Sequence, residues 1–316
     1  MQIGVTIPNI ELGLENSQVR DFVQAAEDLG YDYLMNYDHV VGADLSVRPD
    51  WKPFFGNPPI YTIDDAFREP LIMYGFIAAI TEKIGFSTGV IILPQRQAVL
   101  LAKQAAEIDI LSGGRLRLGV GVGWNDVEYG ALGMNFRDRG ARSAEQIQVM
   151  RKLWTERSVT FEGKWHKLDA VGINPLPIQR PIPVWIGGTA DPVLKRIARI
   201  GDGWYIPSYL NEEEILQHTE RLFGFAEEVG RSRSSIGLEG IIRMWGRRPD
   251  DCADSLDMWK RIGATHVTFN TESDSYKNRL PGAQMDVVDG RSDFKSMDER
   301  IEALRIFKEA SSSYLD

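Results

Sequence analysis

The sequence predicts an α/β fold, a (β/α)8 or TIM barrel with insertion loops at the C-terminal face of the barrel. Short apolar runs alternate with amphipathic helical patterns along the chain, which is typical of βα units around a parallel sheet. About eight such strands occur, and no nucleotide-binding loop follows an early strand, as a doubly wound open sheet requires. A barrel uses about 250 residues. The 316 residues therefore fit a single domain over 1–316.

Strands are predicted wherever a short apolar run is bounded by turn residues. In chain order they are 3–7, 31–36, 84–93, 115–122, 183–186, 204–206, 236–244 and 266–270. Helices are predicted at 17–29, 141–153, 192–200, 212–228, 252–262 and 297–310. Asn16 or Ser17 suits the cap of the first helix and Gly30 its end. Since helices separate the strands, the strands are expected to run parallel and to close a barrel.

The charge and the cysteine content exclude several kinds of partner and site. A net charge of −9 argues against nucleic-acid or membrane partners, which need clustered Lys and Arg. The lone Cys252 excludes an internal disulfide and a cysteine metal cluster, and the four histidines form no short-range metal motif. The first residues lack a signal-peptide pattern, and no apolar stretch approaches about twenty residues. We therefore expect a cytoplasmic protein without a metal ion.

Three long connections, 39–65, 156–180 and 271–295, interrupt the alternation where barrel enzymes place functional loops. The first is rich in aromatic residues, namely Trp51, Phe54, Phe55 and Tyr61. It is expected either to cover a site, with Trp51 to Tyr61 lining a pocket for a hydrophobic substrate, or to serve as a dimerisation arm.

Glycine recurs at every second position of the fourth strand, at Gly119, Gly121 and Gly123. The run is not a dinucleotide fingerprint, because Trp124 occupies the place of the third glycine. Glycine inside a strand marks a bulge or the close approach of a ligand or another backbone. The pattern therefore indicates either tight internal packing or space for a ligand. Gly89 in the third strand likewise predicts a bulge.

Two further segments carry groups suited to chemistry. Asp38 and His39 end the second strand, where His39 can exchange a proton near neutral pH and Asp38 can orient it. A capping or solvent-exposed pair is the alternative. Gly187, Gly188 and Thr189 join a strand to a helix that Asp191 is expected to cap. Such a turn is either an ordinary βα connection or a phosphate site at a helix amino terminus.

The chain resembles the bacterial luciferase-like superfamily, most closely its branch of coenzyme F420-dependent oxidoreductases. The resemblance extends from the first strand to about Gly203. It is carried by the segments STGVIILPQR, LAKQAAEIDILSGGRLRLGVGVGW and PIPVWIGGTADPVLKRIARIGDGW.

The resemblance implies a TIM barrel that holds F420, or alternatively FMN, at its mouth. It places a non-prolyl cis peptide at Gly89-Val90 against the central ring, next to Thr88. It leaves room beside the ring and its ribityl chain at Gly119, Gly121 and Gly123, makes Trp124 a cofactor contact, and assigns the phosphate to Gly187, Gly188 and Thr189. It also implies a homodimer formed through the helices that flank the second and third strands.

In the F420-dependent sugar-phosphate dehydrogenases of the family, an Asp-His pair lies beside the ring. The resemblance therefore implies that His39 accepts a proton, with Asp38 as its neighbour. Those enzymes carry a glutamate proton donor where this chain has Trp124, so we expect a hydrophobic or aromatic substrate instead of a sugar phosphate. The anionic tail of F420 would need basic groups, for which Arg48, Lys52 and Arg96 are candidates.

The expected function is hydride transfer with F420 to or from a small organic molecule. Two alternatives stay open at this point. One is a monooxygenase that binds reduced FMN and activates dioxygen, and the other is a protein that binds a flavin or deazaflavin without turnover.

Overall fold

The computed structural model describes residues 1–11, 15–53, 59, 61–244, 246–272 and 294–315. Its strands are β1 (Gln2–Thr6), β2 (Tyr33–Asn36), β3 (Gly85–Thr88), β4 (Ile91–Ile92), β5 (Leu116–Gly121), β6 (Val159–Glu162), β7 (Lys167–Val171), β8 (Val184–Gly187), β9 (Gly203–Tyr205), β10 (Gly237–Arg243) and β11 (His266–Asn270). The helices are α1 (Asn16–Asp28), α2 (Pro70–Ala78), α3 (Ala98–Leu111), α4 (Asp126–Ala131), α5 (Arg139–Thr155), α6 (Asp191–Ile200), α7 (Glu212–Glu228), α8 (Pro249–Cys252), α9 (Ser255–Ile262) and α10 (Met297–Leu315).

The sheet is a closed barrel of parallel strands, as predicted. Its order is β1, β2, β3, β5, β8, β9, β10 and β11, and β11 pairs with β1 to close the ring. The short β4 continues the β3 position and pairs with β5 beyond an interruption of two residues. Because the strands are parallel, their carboxyl ends meet at one mouth, where barrel enzymes carry their sites.

Several elements differ from the prediction. Helices α2, α3 and α4 were not predicted, because α2 and α3 are apolar on most sides and show little amphipathic period. The predicted helix 252–262 is divided into α8 and α9, and the connection 156–180 contains the antiparallel hairpin β6–β7. The predicted cap of α1 is wrong, because Glu15 occupies that position and makes no side-chain cap hydrogen bond.

A buried ion pair fills part of the barrel interior. The Arg117 Nη1 atom lies 2.5 Å from Glu239 Oε2, while Tyr33 and Thr268 donate hydrogen bonds to Glu239 Oε1. The Arg117 guanidinium also lies over the Trp185 ring, 4.3 Å from its centroid. Buried charges are tolerated when they are paired and hydrogen-bonded, as these are. The pair forms a polar layer beneath the mouth.

Within the described ranges, no helix is both long and apolar enough to span a bilayer. The same ranges contain no group of three metal-ligating side chains. The single domain over 1–316 and the cytoplasmic location stay predictions.

Candidate functional site

The barrel mouth contains two adjoining compartments of about 430 and 200 Å³. We call them the larger and the smaller compartment. Their shared wall consists of Tyr37, Gly89, Val90, Gly123, Trp124 and Arg243. These residues follow the carboxyl ends of β2, β3, β5 and β10, so the barrel topology brings them together. One cleft with two arms therefore lies where the sequence places the site.

The wall between the compartments is the bulge between β3 and β4. Gly89 and Val90 are joined by a non-prolyl cis peptide bond, as the resemblance implied. A Cβ atom at Gly121 would lie 2.5 Å from Val90 Cγ2, and one at Gly123 would lie 2.7 Å from Ile92 Cγ2. Glycine is therefore needed at both positions so that β5 can pack against the bulge.

Gly119 and Thr88 lie behind this wall instead of lining the cleft. A Cβ atom at Gly119 would lie 1.8 Å from the Thr88 carbonyl oxygen. The Thr88 hydroxyl donates to the Gly119 carbonyl at 2.8 Å and accepts from the Gly119 N–H at 2.9 Å. Both residues serve the pairing of β3 with β5, so the expected space beside Gly119 is occupied by protein. The cleft itself is lined by Gly121, Gly123 and Trp124.

The glycine turn after β8 forms one end of the larger compartment. Gly187 and Gly188 line it, and Gly188 has a φ of +124°, which side chains rarely adopt. Thr189 is outside the lining. The predicted cap at Asp191 is wrong, because Ala190 holds the cap position and the Asp191 carboxylate pairs with Arg221.

A cation that the sequence analysis did not identify also lines the larger compartment. Arg139 begins α5, and its guanidinium lies 3.7 Å from the Phe136 ring centroid. Burial lowers the pKa of Arg139. Because Arg139 lines the same compartment as Gly187 and Gly188, it gives this compartment a positive group.

Asp38 does not orient His39, contrary to prediction. Its carboxylate lies 2.7 Å from Arg96 Nη2 and accepts the Ile92 N–H at 3.0 Å. Consecutive residues at the end of a strand point to different sides, so neighbours in sequence need not touch. Arg96 is also 3.0 Å from Glu69, which makes it an internal ion-pair partner. The other two predicted tail contacts, Arg48 and Lys52, are exposed and outside the lining of both compartments.

The carboxylate that contacts His39 belongs to Glu128, in the first turn of α4. Oε2 of Glu128 lies 3.5 Å from Nδ1 of His39 and accepts a 2.9 Å hydrogen bond from Gln95. Its other oxygen accepts the N–H groups of Val40 and Val41. Asn125 caps α4 by accepting the N–H groups of residues 127 and 128, which fixes the glutamate. The structure thus anchors the loop after β2 on one buried side chain.

Electrostatics keep Glu128 ionised. Burial alone would raise its pKa, but the hydrogen bonds and charge of His39, together with bonds from Gln95 and Val40, hold the pKa below its ordinary value. An ionised carboxylate only accepts hydrogen bonds, so Nδ1 of His39 carries the proton. The other ring nitrogen, Nε2, is then left to act on a ligand in the smaller compartment, which His39 lines.

Aromatic side chains surround the His39 ring. The Tyr61, Phe67 and Trp124 ring centroids lie 3.9, 4.9 and 6.0 Å from it. Trp51 stacks on Trp124 at 6.4 Å, and its Nε1 donates to Asp126 at 2.9 Å. The loop after β2 therefore contributes to the site through Trp51 and Tyr61, while Phe54 and Phe55 fall outside the described residues. These rings shield the histidine from water.

Arg243 and Tyr37 border both compartments. Arg243 lies 3.1 Å from the buried Glu272, and Asn270 Nδ2 donates to both Glu272 and the Tyr37 hydroxyl. Burial raises the pKa of Glu272 and also that of Tyr37, so the phenol stays neutral. Glu128, Arg139, Arg243 and Glu272 were all missed in the sequence, since none is part of a local motif.

Known proteins resemble this chain in sequence and in fold. The profile of the luciferase-like monooxygenase family matches residues 1–239. The F420-dependent glucose-6-phosphate dehydrogenase of Intrasporangium calvum is 29% identical over 260 residues, which cover 78% of this chain and 70% of the relative.

Two solved structures share the fold. Monooxygenase RslO1 from Streptomyces bottropensis gives a TM-score of 0.76 at 18% identity, covering 100% of both chains. An F420-dependent secondary alcohol dehydrogenase in complex with an F420-acetone adduct gives 0.75 at 17% identity, covering 100% of this chain and 99% of the other. At these identities the likeness concerns the fold alone. The family match spans most of the barrel and the whole glycine-rich wall, and on that ground the chain belongs to the luciferase-like monooxygenase family of oxidoreductases.

Proposed function

We propose that the protein transfers a hydride between coenzyme F420 and a small organic substrate. The observation that carries the proposal is His39, which lines the smaller compartment beside the Gly89-Val90 bulge while buried Glu128 holds its Nδ1 atom. A histidine with a fixed tautomer is suited to general acid-base work.

The larger compartment fits a flat cofactor with a phosphate. It has about 430 Å³ of space, and its walls include the bulge and two glycines of the turn after β8. Gly187 and Gly188 present backbone without side chains to the compartment, and a Cβ atom at Gly187 would already be in van der Waals contact with Val90 Cγ1 at 3.6 Å. We infer that Gly187 and Gly188 hold the phosphate through backbone contacts, with Arg139 supplying positive charge.

When bound, the deazaflavin supplies the hydride chemistry, which moves one hydrogen nucleus and two electrons. The residues of the chain supply the positioning of the ring, the exclusion of water and the proton transfer. The bulge orients the ring, the aromatic residues around His39 exclude water, and Nε2 of His39 takes or returns the proton that accompanies the hydride. The substrate oxygen must therefore lie within hydrogen-bond distance of Nε2, in the smaller compartment that His39 lines.

Reduced FMN is the second candidate cofactor, and a monooxygenase the second candidate function. It is supported by the same bulge, which suits either ring, and by the fold shared with monooxygenase RslO1. We favour F420 because of the likeness to the glucose-6-phosphate dehydrogenase of Intrasporangium calvum. A protein that binds its cofactor without turnover is the remaining alternative, and turnover that falls in His39→Asn with unchanged cofactor affinity would contradict it.

The His39→Asn variant tests the proposal. Removing a general base costs on the order of 10² to 10⁴ in rate. We therefore expect turnover to fall by about that factor while the affinity for F420 stays within a few-fold of the wild type. Unchanged turnover would contradict the role of His39, and equal loss of cofactor affinity would show that the residue binds instead of reacting.

We also propose that the chain pairs with a second copy through α2 and α3. The family resemblance implies this dimer, and exposed apolar side chains on both helices support it. Ile72 is 76% exposed and Leu100 52% exposed, and Phe76 and Val99 are exposed beside them. Burial of this surface is favourable. Light scattering should give the mass of two chains, and Ile72→Glu should reduce it to one.

A further inference from the structure

We propose that the smaller compartment selects an uncharged, compact substrate of about one six-membered ring with a carbonyl or hydroxyl oxygen, and rejects carboxylated and phosphorylated compounds. The inference rests on the proposed function, because it assigns this compartment to the substrate of that reaction. The charges and the size of the compartment support it.

Within the described part of the chain, each charged group in the lining already has a partner inside the protein. The compartment is lined by Asp38, His39 and Arg243. Asp38 lies 2.7 Å from Arg96, His39 lies 3.5 Å from Glu128, and Arg243 lies 3.1 Å from Glu272. A substrate charge would have to compete with these internal partners.

The balance of these groups disfavours an anion in particular. Glu69 also contacts Arg96, at 3.0 Å. Among the described residues, the lining and its direct partners thus contain three carboxyl groups, those of Asp38, Glu128 and Glu272, against two guanidinium groups, those of Arg96 and Arg243, and the imidazole of His39. Glu69, through its contact with Arg96, adds a fourth carboxyl group. A phosphate or carboxylate placed among them meets like charges, and like-charge contacts are costly when water is excluded.

The polar groups that line the compartment suit one neutral oxygen atom of a ligand. Nε2 of His39 can accept a hydroxyl proton, or donate after protonation. The Arg243 guanidinium, which is neutralised by Glu272 at 3.1 Å, can donate to a carbonyl without requiring a negative partner. The Tyr37 phenol lies in the same wall. A carbonyl or hydroxyl group therefore satisfies the site without changing its charge.

The size and the walls limit the rest of the molecule. The compartment has about 200 Å³, and its apolar wall consists of Phe67, Val90, Ile92 and Trp124. An apolar cavity of about 150 Å³ binds benzene, so this space takes about one ring. Aromatic and branched aliphatic walls favour an apolar ring or branched chain.

The reaction balances for such a substrate. In a secondary alcohol the C–H bond breaks and both electrons leave with the hydrogen to F420. The O–H bond breaks with its proton going to Nε2 of His39, and the carbon–oxygen double bond forms. The reverse direction reduces a ketone, with reduced F420 as the donor.

The test compares ligands that differ only in charge. The first two probes are 4-oxocyclohexane-1-carboxamide and 4-oxocyclohexane-1-carboxylate, which have nearly the same shape. Cyclohexanone itself is the smaller neutral reference. Binding is measured by calorimetry on the full chain, with and without F420, and glucose 6-phosphate serves as the phosphorylated probe. We expect the carboxamide to bind at least about tenfold tighter than the carboxylate, as like-charge repulsion demands. Equal or tighter binding of the carboxylate or the sugar phosphate, or no binding of any neutral ring, overturns the proposal.

A charge variant gives a second, independent readout. Glu272→Gln removes the carboxylate that neutralises Arg243, so the carboxylate probe should gain about tenfold relative to the carboxamide. Glu220→Gln, which removes a glutamate 2.9 Å from the exposed Arg233, is the matched control and should leave the ratio unchanged. An unchanged ratio in a folded Glu272→Gln protein contradicts the charge argument. If that variant does not fold, the ligand comparison on the wild type still decides.

The outcomes separate this inference from the proposed function. Selective binding of neutral rings without any hydride transfer to F420 rejects the proposed cofactor and keeps the charge selectivity. Turnover of a phosphorylated sugar with F420 keeps the proposed function and rejects the substrate class.

Discussion

The Oε2 atom of Glu128 lies 3.5 Å from Nδ1 of His39, although 89 residues separate them in sequence. The contact joins the first turn of α4 to the loop after β2. The same carboxylate accepts the N–H of Val40, so it fixes the loop as well as the ring. On the proposed function Glu128 is a positioning residue, because it would act on the substrate through His39.

Glu128→Gln should lower turnover by about tenfold to a hundredfold, which is less than the loss on the order of 10² to 10⁴ expected when the base itself is removed. A glutamine keeps the size of the side chain but presents a neutral amide, so Nδ1 loses a charged acceptor. The acid side of the pH profile should change with it, because Glu128, whose pKa is held below its ordinary value despite burial by hydrogen bonds from His39, Gln95 and Val40, titrates and glutamine does not. Turnover as a function of pH checks both effects. A uniform loss at every pH would indicate a structural role only.

A similar pair far from the cleft provides the control for this variant. Glu145 Oε1 lies 2.8 Å from His166 Nδ1 and also accepts backbone N–H groups of the β6–β7 hairpin. Glu145→Gln removes the same kind of interaction outside the lining of both compartments. It should alter stability without altering the pH profile of turnover.

Gly121→Ala should weaken cofactor binding by at least about tenfold. The new Cβ would lie 2.5 Å from Val90 Cγ2 and push this side chain into the cleft, and such overpacking typically costs about 1 to 3 kcal/mol. Fluorescence titration with the cofactor measures the loss. In Gly224→Ala, where no atom lies within 4 Å of the new Cβ, affinity should be unchanged and stability should rise by up to about 1 kcal/mol.

Trp51→Ala should raise the KM for the substrate several-fold. The indole stacks on Trp124, which lines both compartments, and removing it exposes that wall to water. Steady-state kinetics check the change. Trp165→Ala, in the β6–β7 hairpin, removes an indole whose Nε1 atom donates a 3.0 Å hydrogen bond to Asp138 Oδ2. This control variant should leave KM unaltered. Unaltered kinetics in Trp51→Ala would contradict a role for the loop after β2.

His266 should make folding stability depend on pH between about 6.5 and 3. Burial, with the charges of Arg117 and the amino terminus, lowers its folded-state pKa from 6.5 to about 3. The unfolded chain therefore binds the proton first as the pH falls. Its contribution is fully present above pH 6.5 and is lost toward pH 3, at no more than about 1.4 kcal/mol per pH unit. Urea unfolding of the wild type and His266→Asn at pH 7 and pH 4.5 measures it. An equal difference in stability at both values would contradict the assignment.

The barrel was predictable because each strand is a short apolar run between turn residues. Strand β11 and helix α7 match their predicted bounds, 266–270 and 212–228. The sequence did not reveal α2, since PLIMYGFIA is apolar on most sides and has no amphipathic period. The β6–β7 hairpin was missed because most residues of its strands are exposed and its apolar residues form no continuous run.

The site was predictable only where its residues form local patterns. The alternating glycines indicated the β5 wall, although Gly119 makes room for the Thr88 carbonyl and not for a ligand. The partner of His39 was not predictable, because Asp38 is adjacent in sequence and Glu128 is adjacent in space. Glu272 and Arg243 meet only when β10 and β11 pair, which sequence spacing does not reveal.

The identity of the cofactor decides between hydride transfer with F420 and oxygen activation with reduced FMN. Cofactor-free protein is titrated in parallel with F420 and with FMN, each oxidised and reduced, and quenching of the cofactor fluorescence reports binding. We predict tight binding of F420 and weak binding of FMN in both redox states. Preferential binding of reduced FMN would contradict it and would direct the search to oxygen-consuming reactions.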